Sequence, residues 1–149
     1  HLSTIFTEVR LKSYLEVRGA DAGKWEMICA LPAFWTGLLY DEENLNILWN
    51  ETHKWNYSDI MDLYKNISKE GLKSKFQGES IYNYCRYLLK LSSKGLERRA
   101  FLNRKNRDEQ IHLETLKKIV SSQKTPADIL LEETDSGNNI LALFDKPYY

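Results

Sequence analysis

The feature that most constrains the fold of this 149-residue chain is an alternating stretch near its start. In Val9–Arg18, apolar or small residues occupy every second position, and the positions between them are polar. A period of two places successive side chains on opposite faces of a strand. The apolar face would comprise Val9, Leu11, Ser13, Leu15 and Val17, and the polar face Arg10, Lys12, Tyr14, Glu16 and Arg18. The stretch therefore predicts a strand with one apolar and one ionisable face.

Most of the following sequence predicts helices. Residues 19–23 have the composition of a turn, and 24–39 is apolar on nearly every side, with Pro32 expected to kink or split that helix. Five further helices are predicted: Asp41, as a cap, to about Trp49; Ser58 to about Tyr64; Glu79 to Ser93, stopped by Gly95; Arg107 to Ser122; and Pro126 to about Glu133. Gly71–Gly78 is expected to be a loop and the tail from Asp135 irregular.

The expected fold class is thus α+β, with one or two strands followed by five or six helices. A lone strand would have unpaired edges on both sides, which is unusual for a free-standing domain. The chain also begins at His1, directly in strand-like sequence. Both features suggest a piece of a larger protein.

Charge and composition exclude several functions. The 21 basic and 21 acidic residues balance, so no global field favours nucleic acid or anionic lipid. The longest apolar stretch, Ile28–Tyr40, is interrupted by Pro32 and too short to cross a bilayer. Cys29 and Cys85 lack the spacing of zinc or redox motifs, so we expect buried, reduced thiols. These observations predict a soluble cytoplasmic protein without nucleic-acid or membrane partners.

The strongest candidate for chemistry is the segment Tyr14–Arg18. Residues two apart on a strand lie about 6.5 Å from each other on one face, so Glu16 and Arg18 can reach one object such as a magnesium nucleotide. A carboxylate suits magnesium (Mg2+), and a guanidinium can clamp a phosphoryl group. The alternative is that both side chains pair with charges on adjacent strands of a solvated sheet face. Spacing alone does not decide between these.

Other residues that attract attention have ordinary interpretations. His53 and His112 have no second ligand at metal spacing. The stretch Gly95–Arg99, with the basic residues up to Arg107, is interpreted as a solvated helix end. The larger aromatic residues are expected to pack in the core: Trp25, Phe34, Trp35, Trp49 and Trp55.

Three long runs carry a resemblance to a known family. They are His1–Asp21, Cys29–Trp35 and Gly37–Asp41, and together they closely resemble the plant and proteobacterial type of glutamate-cysteine ligase. The resemblance continues more loosely through three shorter runs, Gly95–Arg99, Phe101–Asn103 and Thr125–Ala127, while residues 44–77 contribute least.

The resemblance implies a fold similar to glutamine synthetase, in which a curved antiparallel sheet forms a funnel lined by magnesium-binding carboxylates and by arginines around ATP. Residues 1–149 would be the C-terminal part of a single catalytic domain. Glu16 would be one Mg2+ ligand, and Arg18 would stabilise the phosphoryl group in transfer. Arg10, on the same face, would contact substrate or nucleotide or would form a structural ion pair.

The reaction implied joins the γ-carboxylate of L-glutamate to L-cysteine through an acyl phosphate made from ATP, the first step of glutathione biosynthesis. The missing upstream part of the chain would supply the other ligands, so the fragment alone would be inactive. Two alternatives stay open: a non-catalytic helical interaction module, and a related carboxylate-amine ligase with another amine acceptor. A catalytic origin predicts that Glu16 and Arg18 point into a shared concavity, whereas the interaction module would have them splayed or buried by local contacts.

Overall fold

The computed structural model describes residues 8–135, without the side chains of Glu133 and Asp135. The tail expected to be irregular lies outside the described residues, apart from Asp135. The strands are β1 (Val9–Leu11), β2 (Leu15–Val17), β3 (Lys75–Phe76) and β4 (Glu79–Ser80). The helices are α1 (Trp25–Leu39), α2 (Glu42–Thr52), α3 (Tyr57–Glu70), α4 (Ile81–Arg99), α5 (Glu114–Ser122) and α6 (Pro126–Asp135), with short 3₁₀ helices at Gly71–Lys73 and Glu109–Leu113. The expected α+β class is confirmed.

The alternating stretch forms an antiparallel hairpin instead of one continuous strand. A turn at residues 12–14 reverses the chain, and β2 pairs with β1. Because three residues separate the strands, the alternation keeps its phase across the turn. Apolar residues consequently oppose apolar ones, as in the pair Val9 and Val17, while Arg10 lies opposite Glu16. The two predicted faces are therefore correct, although the single strand is not.

The helical part is built around the crossing of α1 and α4. Ala33 of α1 and Leu96 of α4 meet Leu113 of the second 3₁₀ helix in the centre of the core. Phe34 and Leu116 pack around these three buried residues. Helix α5 closes the core because it contacts both α1 and α4.

Helix α1 runs through Pro32 without the predicted split. Proline removes one backbone donor, which frees the carbonyl of Ile28 four residues earlier. Pro32 and Ile28 are both exposed, so that carbonyl lies on the outer side of the helix. In this chain the loss of the hydrogen bond leaves no enclosed polar group, because the described residues leave that side of the helix uncovered.

Gly95 does not end α4 as predicted. The helix continues to Arg99 and stops at Ala100, which takes the left-handed conformation with a φ of 52°. Gly95 is buried inside the helix, where a Cβ would strike the backbone carbonyl of Gly37 in α1. The absence of a side chain at Gly95 allows α1 and α4 to approach closely, and it does not end the helix.

Several other boundaries differ from the predictions. Helix α3 extends six residues further than expected, to Glu70. The predicted loop at 71–78 contains the first 3₁₀ helix, strand β3 and the turn that joins β3 to β4. Part of the predicted helix at 107–122 is the second 3₁₀ helix, so α5 begins only at Glu114. The predicted Asp41 cap is confirmed, since its carboxylate accepts from the Asn44 amide at 2.9 Å. At the start of α6, the Thr125 hydroxyl accepts from the Asp128 amide at 3.1 Å and caps that helix.

The expectation that the large aromatic residues fill the core is wrong for two tryptophans. Trp25 is 72% exposed and Trp49 is 67% exposed. Trp55 does pack against Phe76, at 4.8 Å between ring centroids, and Phe34 meets Trp35 edge to face at 5.5 Å. Helical periodicity predicts which apolar residues share a helix face, but not which of them pack against another part of the chain.

The two cysteines are free thiols, as predicted, but both are half-buried and not enclosed. Burial raises the pKa of the Cys85 thiol above its ordinary value. No helix within residues 8–135 is both long enough and apolar enough to traverse a bilayer.

Candidate functional site

The charged face of the β1–β2 hairpin contains all three residues predicted to take part in chemistry. Arg10 and Glu16 are directly opposed across the strands, and the Nε of Arg10 donates to a carboxylate oxygen of Glu16 at 2.6 Å. The Arg10 and Glu16 side chains are 23% and 30% exposed. The structure therefore joins these two residues in a partly shielded ion pair, the arrangement that the local-pairing alternative predicts for Glu16.

Arg18 follows directly after β2. Its backbone N–H donates to the carbonyl of Glu8 at 2.8 Å, which extends the pairing of the two strands by one step. In this register Glu8 and Arg18 lie on the same face as Arg10 and Glu16, because alternate residues share a face. The predicted placement of Glu16 and Arg18 on one side of the strand is thus met, while their roles in catalysis stay a prediction.

The electrostatics of this face favour an ionised Glu16. The hydrogen bond from Arg10 is the main cause that lowers its pKa below the ordinary value. Partial desolvation opposes this shift, and the positive charges of Arg10, Lys12 and Arg18 reinforce it. Glu16 is therefore an anion at neutral pH, with hard oxygen atoms available to a cation.

The residues of the hairpin could supply only part of the ligands of a Mg2+ site. Magnesium usually takes one or two carboxylates together with phosphate oxygens and water. Glu16 meets the requirement for one such carboxylate. Within the part of the chain that the structure describes, no group of three or more His, Cys, Asp or Glu residues is placed to hold a metal ion. A site with three or more such protein ligands would need a contribution from outside these residues.

A second polar cluster, which the sequence did not predict, lies where α1, α2 and α4 meet. Asn44 is fully buried, and its Nδ2 donates to the carbonyls of Gly37 at 2.8 Å and Leu91 at 2.7 Å. Its side-chain oxygen accepts from the Nη2 of Arg98 at 3.1 Å. One amide thus connects three helices. A buried polar residue with all these partners stabilises a single packing arrangement.

Arg98 completes this cluster through Asp41. Its Nη2 and Nε donate to the two Asp41 carboxylate oxygens at 2.6 and 2.8 Å. The hydrogen bond from Arg98 is the main cause that lowers the pKa of Asp41, and the Asn44 amide adds to it. Asp41 therefore both caps α2 and anchors the end of α4.

Two arginines of the basic stretch interpreted as a solvated helix end form ion pairs. Arg98 joins Asp41, and Arg99 donates to Glu109 at 2.9 Å. The Asp41 cap was visible in the sequence, but no signal marked Asn44, which lies in the region of weakest resemblance. Two of the sequence runs that carry the resemblance, 37–41 and 95–99, meet at this cluster. The residues of these runs therefore contribute to the packing of the helices.

An open trough of about 520 Å³ lies elsewhere, between α2, α4 and the turn that joins β3 to β4. Its walls include Glu51, Trp55, Gln77, Tyr84 and Tyr87. Burial, followed by hydrogen bonding to Glu51, raises the pKa of Tyr84 to about 12. Tyr84 is therefore a protonated donor at neutral pH. None of the residues predicted to act in chemistry lines this trough.

His53 has the ordinary role expected of it. It lies at the end of α2, where its Nδ1 is 2.7 Å from the carbonyl of Trp49 and its ring stacks on the Trp49 indole. His112 is exposed on the second 3₁₀ helix.

Comparison with known proteins identifies the family. Residues 1–145 match the family described as glutamate-cysteine ligase family 2 (GCS2). Glutamate–cysteine ligase A, chloroplastic, of Oryza sativa subsp. indica is 41% identical over 151 residues, covering 100% of this chain and 30% of that protein. The chloroplastic enzymes of Solanum lycopersicum and Arabidopsis thaliana are 43% and 39% identical over 132 and 151 residues. These two alignments cover 89% and 100% of this chain, and 24% and 28% of those proteins.

The chain therefore belongs to glutamate-cysteine ligase family 2, as its sequence resemblance indicated. It spans about 30% of the length of the rice relative and 28% of the Arabidopsis one. The expectation of a cytoplasmic protein is wrong. The relatives named above are all chloroplastic proteins, which points to the plastid.

Proposed function

We propose that the protein to which this chain belongs ligates the γ-carboxylate of L-glutamate to the amine of L-cysteine, forming γ-glutamylcysteine with consumption of ATP. The observation that supports this most directly is the family match over residues 1–145, together with relatives named glutamate–cysteine ligase that are about 40% identical over the whole chain. This product would be the first intermediate of glutathione biosynthesis. We also infer a plastid location from the names of those relatives.

The proposed reaction has two steps. A γ-carboxylate oxygen of glutamate attacks the terminal phosphorus of ATP, the bond to the bridging oxygen breaks, and ADP leaves. The cysteine amine then attacks the acyl carbon of the glutamyl phosphate, the C–O bond breaks, and inorganic phosphate leaves while the amine loses its proton. One ATP is converted to ADP and phosphate for each amide bond formed.

The charged face of the hairpin would act on the nucleotide in this reaction. Glu16, held ionised by Arg10, would bind Mg2+, and Arg18 would neutralise charge on the phosphoryl group as it transfers. Arg10 would hold the Glu16 carboxylate in position or contact the nucleotide. When bound, the ion would supply further charge neutralisation on the phosphate oxygens.

The remaining ligands and both amino-acid pockets would belong to parts of the polypeptide outside this chain. That assignment follows from the small share of its relatives' length that this chain covers, and from the few carboxylates on the charged face of the hairpin, Glu16 and Glu8. We therefore propose that residues 1–149 are the C-terminal part of one catalytic domain and have no ligase activity alone.

The decisive experiment substitutes Glu16→Gln in the full-length protein. If Glu16 binds Mg2+, kcat for γ-glutamylcysteine falls by roughly 100-fold or more, and the Mg2+ concentration for half-maximal rate rises. Product is measured by mass spectrometry, and ADP release is measured with each amino acid omitted in turn. The matched control is Glu114→Gln, which removes a carboxylate from a surface ion pair with Lys117 far along the chain.

Three outcomes would contradict parts of the proposal. Turnover by Glu16→Gln equal to that of the control would exclude the metal role. ADP release with glutamate and another amine, but not with cysteine, would identify a different carboxylate-amine ligase. Absence of ADP release under every amine tested would support the interaction module.

A further inference from the structure

Helix α1 has a large apolar face that the rest of the described chain leaves exposed. We call it the outer face of α1. Its residues repeat at intervals of three and four, which places them on one side of a helix. They are Trp25, Ile28, Leu31, Pro32, Trp35 and Leu39. Trp25 is 72% and Ile28 is 54% exposed, while Trp35 and Leu39 are half-buried.

Helix α1 has large apolar residues on both its inner and its outer side, which is unusual for a surface helix. The inner face, which packs on α4, has the small buried residues Ala30, Ala33 and Gly37. Leu38 and Phe34 also point inward, but both tryptophans of the helix, with Ile28 and Leu31, lie on the outer face. A surface helix normally points its large apolar residues to the core and its charges outward. The outer face of α1 therefore has the composition of a buried interface.

A neighbouring surface has the same character. The apolar face of the β1–β2 hairpin exposes Val9, Leu11 and Leu15, with Leu11 80% exposed. Residues 18–24 join the hairpin to α1, and seven residues span at most about 25 Å. One covering body can therefore contact both surfaces.

We propose that the outer face of α1 is the docking surface for the part of the same polypeptide that lies outside this chain. The rice and Arabidopsis relatives align with this whole chain yet extend well beyond it, since it covers only 30% and 28% of them. About 70% of such a protein is thus available as the covering body. The inference goes beyond the proposed function because it depends on family membership and not on ligase activity.

The test is oxidative footprinting of the full-length protein without substrates, with modification of each tryptophan measured by mass spectrometry. Rates are compared with those of the same protein unfolded in urea. If the outer face is covered, Trp25 is modified roughly ten-fold more slowly in the native protein. Trp49, which is similarly exposed but lies on α2, provides the internal comparison.

Two results would overturn the proposal. Native and unfolded rates that are nearly equal for Trp25 would show that the outer face is open to solvent. Protection of Trp25 that appears only as protein concentration rises, together with a dimer mass, would identify a second copy as the occupant. As an independent check, Trp25→Asp should lower the thermal midpoint of the full-length protein by several degrees more than Trp49→Asp. Because neither readout uses turnover, an inactive protein would still give a clear answer.

Discussion

The β1–β2 hairpin and the crossing of α1 and α4 are stabilised in different ways. The hairpin has two strands of three residues, an exposed apolar face and one partly shielded ion pair between Arg10 and Glu16. The crossing has two glycines in backbone contact and a fully buried asparagine that joins three helices. The comparison suggests that the helical crossing supplies stability in this chain, while the hairpin presents charge and depends on other parts of the protein for cover.

The largest effect is expected from Gly95→Ala. The new methyl group would strike the Gly37 carbonyl, and both atoms belong to helix backbones that cannot rotate away. We expect a loss of about 3 kcal/mol in the free energy of unfolding, the upper end for overpacking. Urea denaturation measures it, with Lys94→Ala, the exposed preceding position on α4, as control. Equal stability of the two variants would show that the helices are not in close contact.

A smaller loss is expected from Asn44→Ala. The change removes the donors to the Gly37 and Leu91 carbonyls and leaves buried polar atoms without this partner. The expected cost is about 2 kcal/mol, compared with little change for Asn46→Ala on the exposed side of α2. If both asparagines gave the same unfolding curve, the cluster would contribute nothing to the packing of the three helices.

Asp41→Asn tests the charge within the same cluster. Asparagine is also a good N-cap, so this variant removes the charge and leaves a capping side chain, with an expected loss of up to about 1 kcal/mol. Because folding lowers the Asp41 pKa, the stabilisation is fully present above its unfolded value of 3.8. It is lost as the pH falls through the lower, folded pKa. Wild type and variant should therefore differ near pH 7 and converge once the pH is below the folded pKa of Asp41; a constant difference would contradict the assignment.

The smallest effect on stability is expected at the hairpin. Arg10→Gln breaks a partly exposed ion pair, and such pairs contribute little to folding. The unfolding curve should barely move, whereas the pKa of Glu16 should rise toward its ordinary value because its main hydrogen-bond donor is gone. NMR titration of the Glu16 carboxyl in the full-length protein measures this rise. A large stability loss without any change in titration would make the pair structural.

Much of the hairpin was predictable, because alternation depends only on neighbouring residues. The sequence predicted its two faces and the shared side of Glu16 and Arg18. It missed the turn at 12–14, since a three-residue turn preserves the alternation and leaves no break in the pattern. The consequence is substantial: Arg10 is the cross-strand partner of Glu16 and not a residue further along the same strand.

The crossing was much harder to predict because it depends on distant contacts. Glycine ends helices and also allows helices to approach closely, and Gly95 was assigned the first role when it has the second. Asn44 gives no local signal, because an asparagine in a short polar helix is ordinarily exposed. Trp25 and Trp49 show the converse error, in which an apolar residue was assumed to have a partner within the chain.

The contact between Gly37 and Gly95 limits how relatives of this protein can be recombined. The two glycines come from segments almost sixty positions apart. Neither α1 nor α4 can be exchanged alone unless the replacement helix also has a glycine at the contact. Chimaeras that transfer residues 25–44 and 91–99 together should be recovered as soluble protein, whereas transfers of one segment should fail whenever the donor has a larger residue at the contact. In this part of the molecule, α1 and α4 should therefore be exchanged together as a pair.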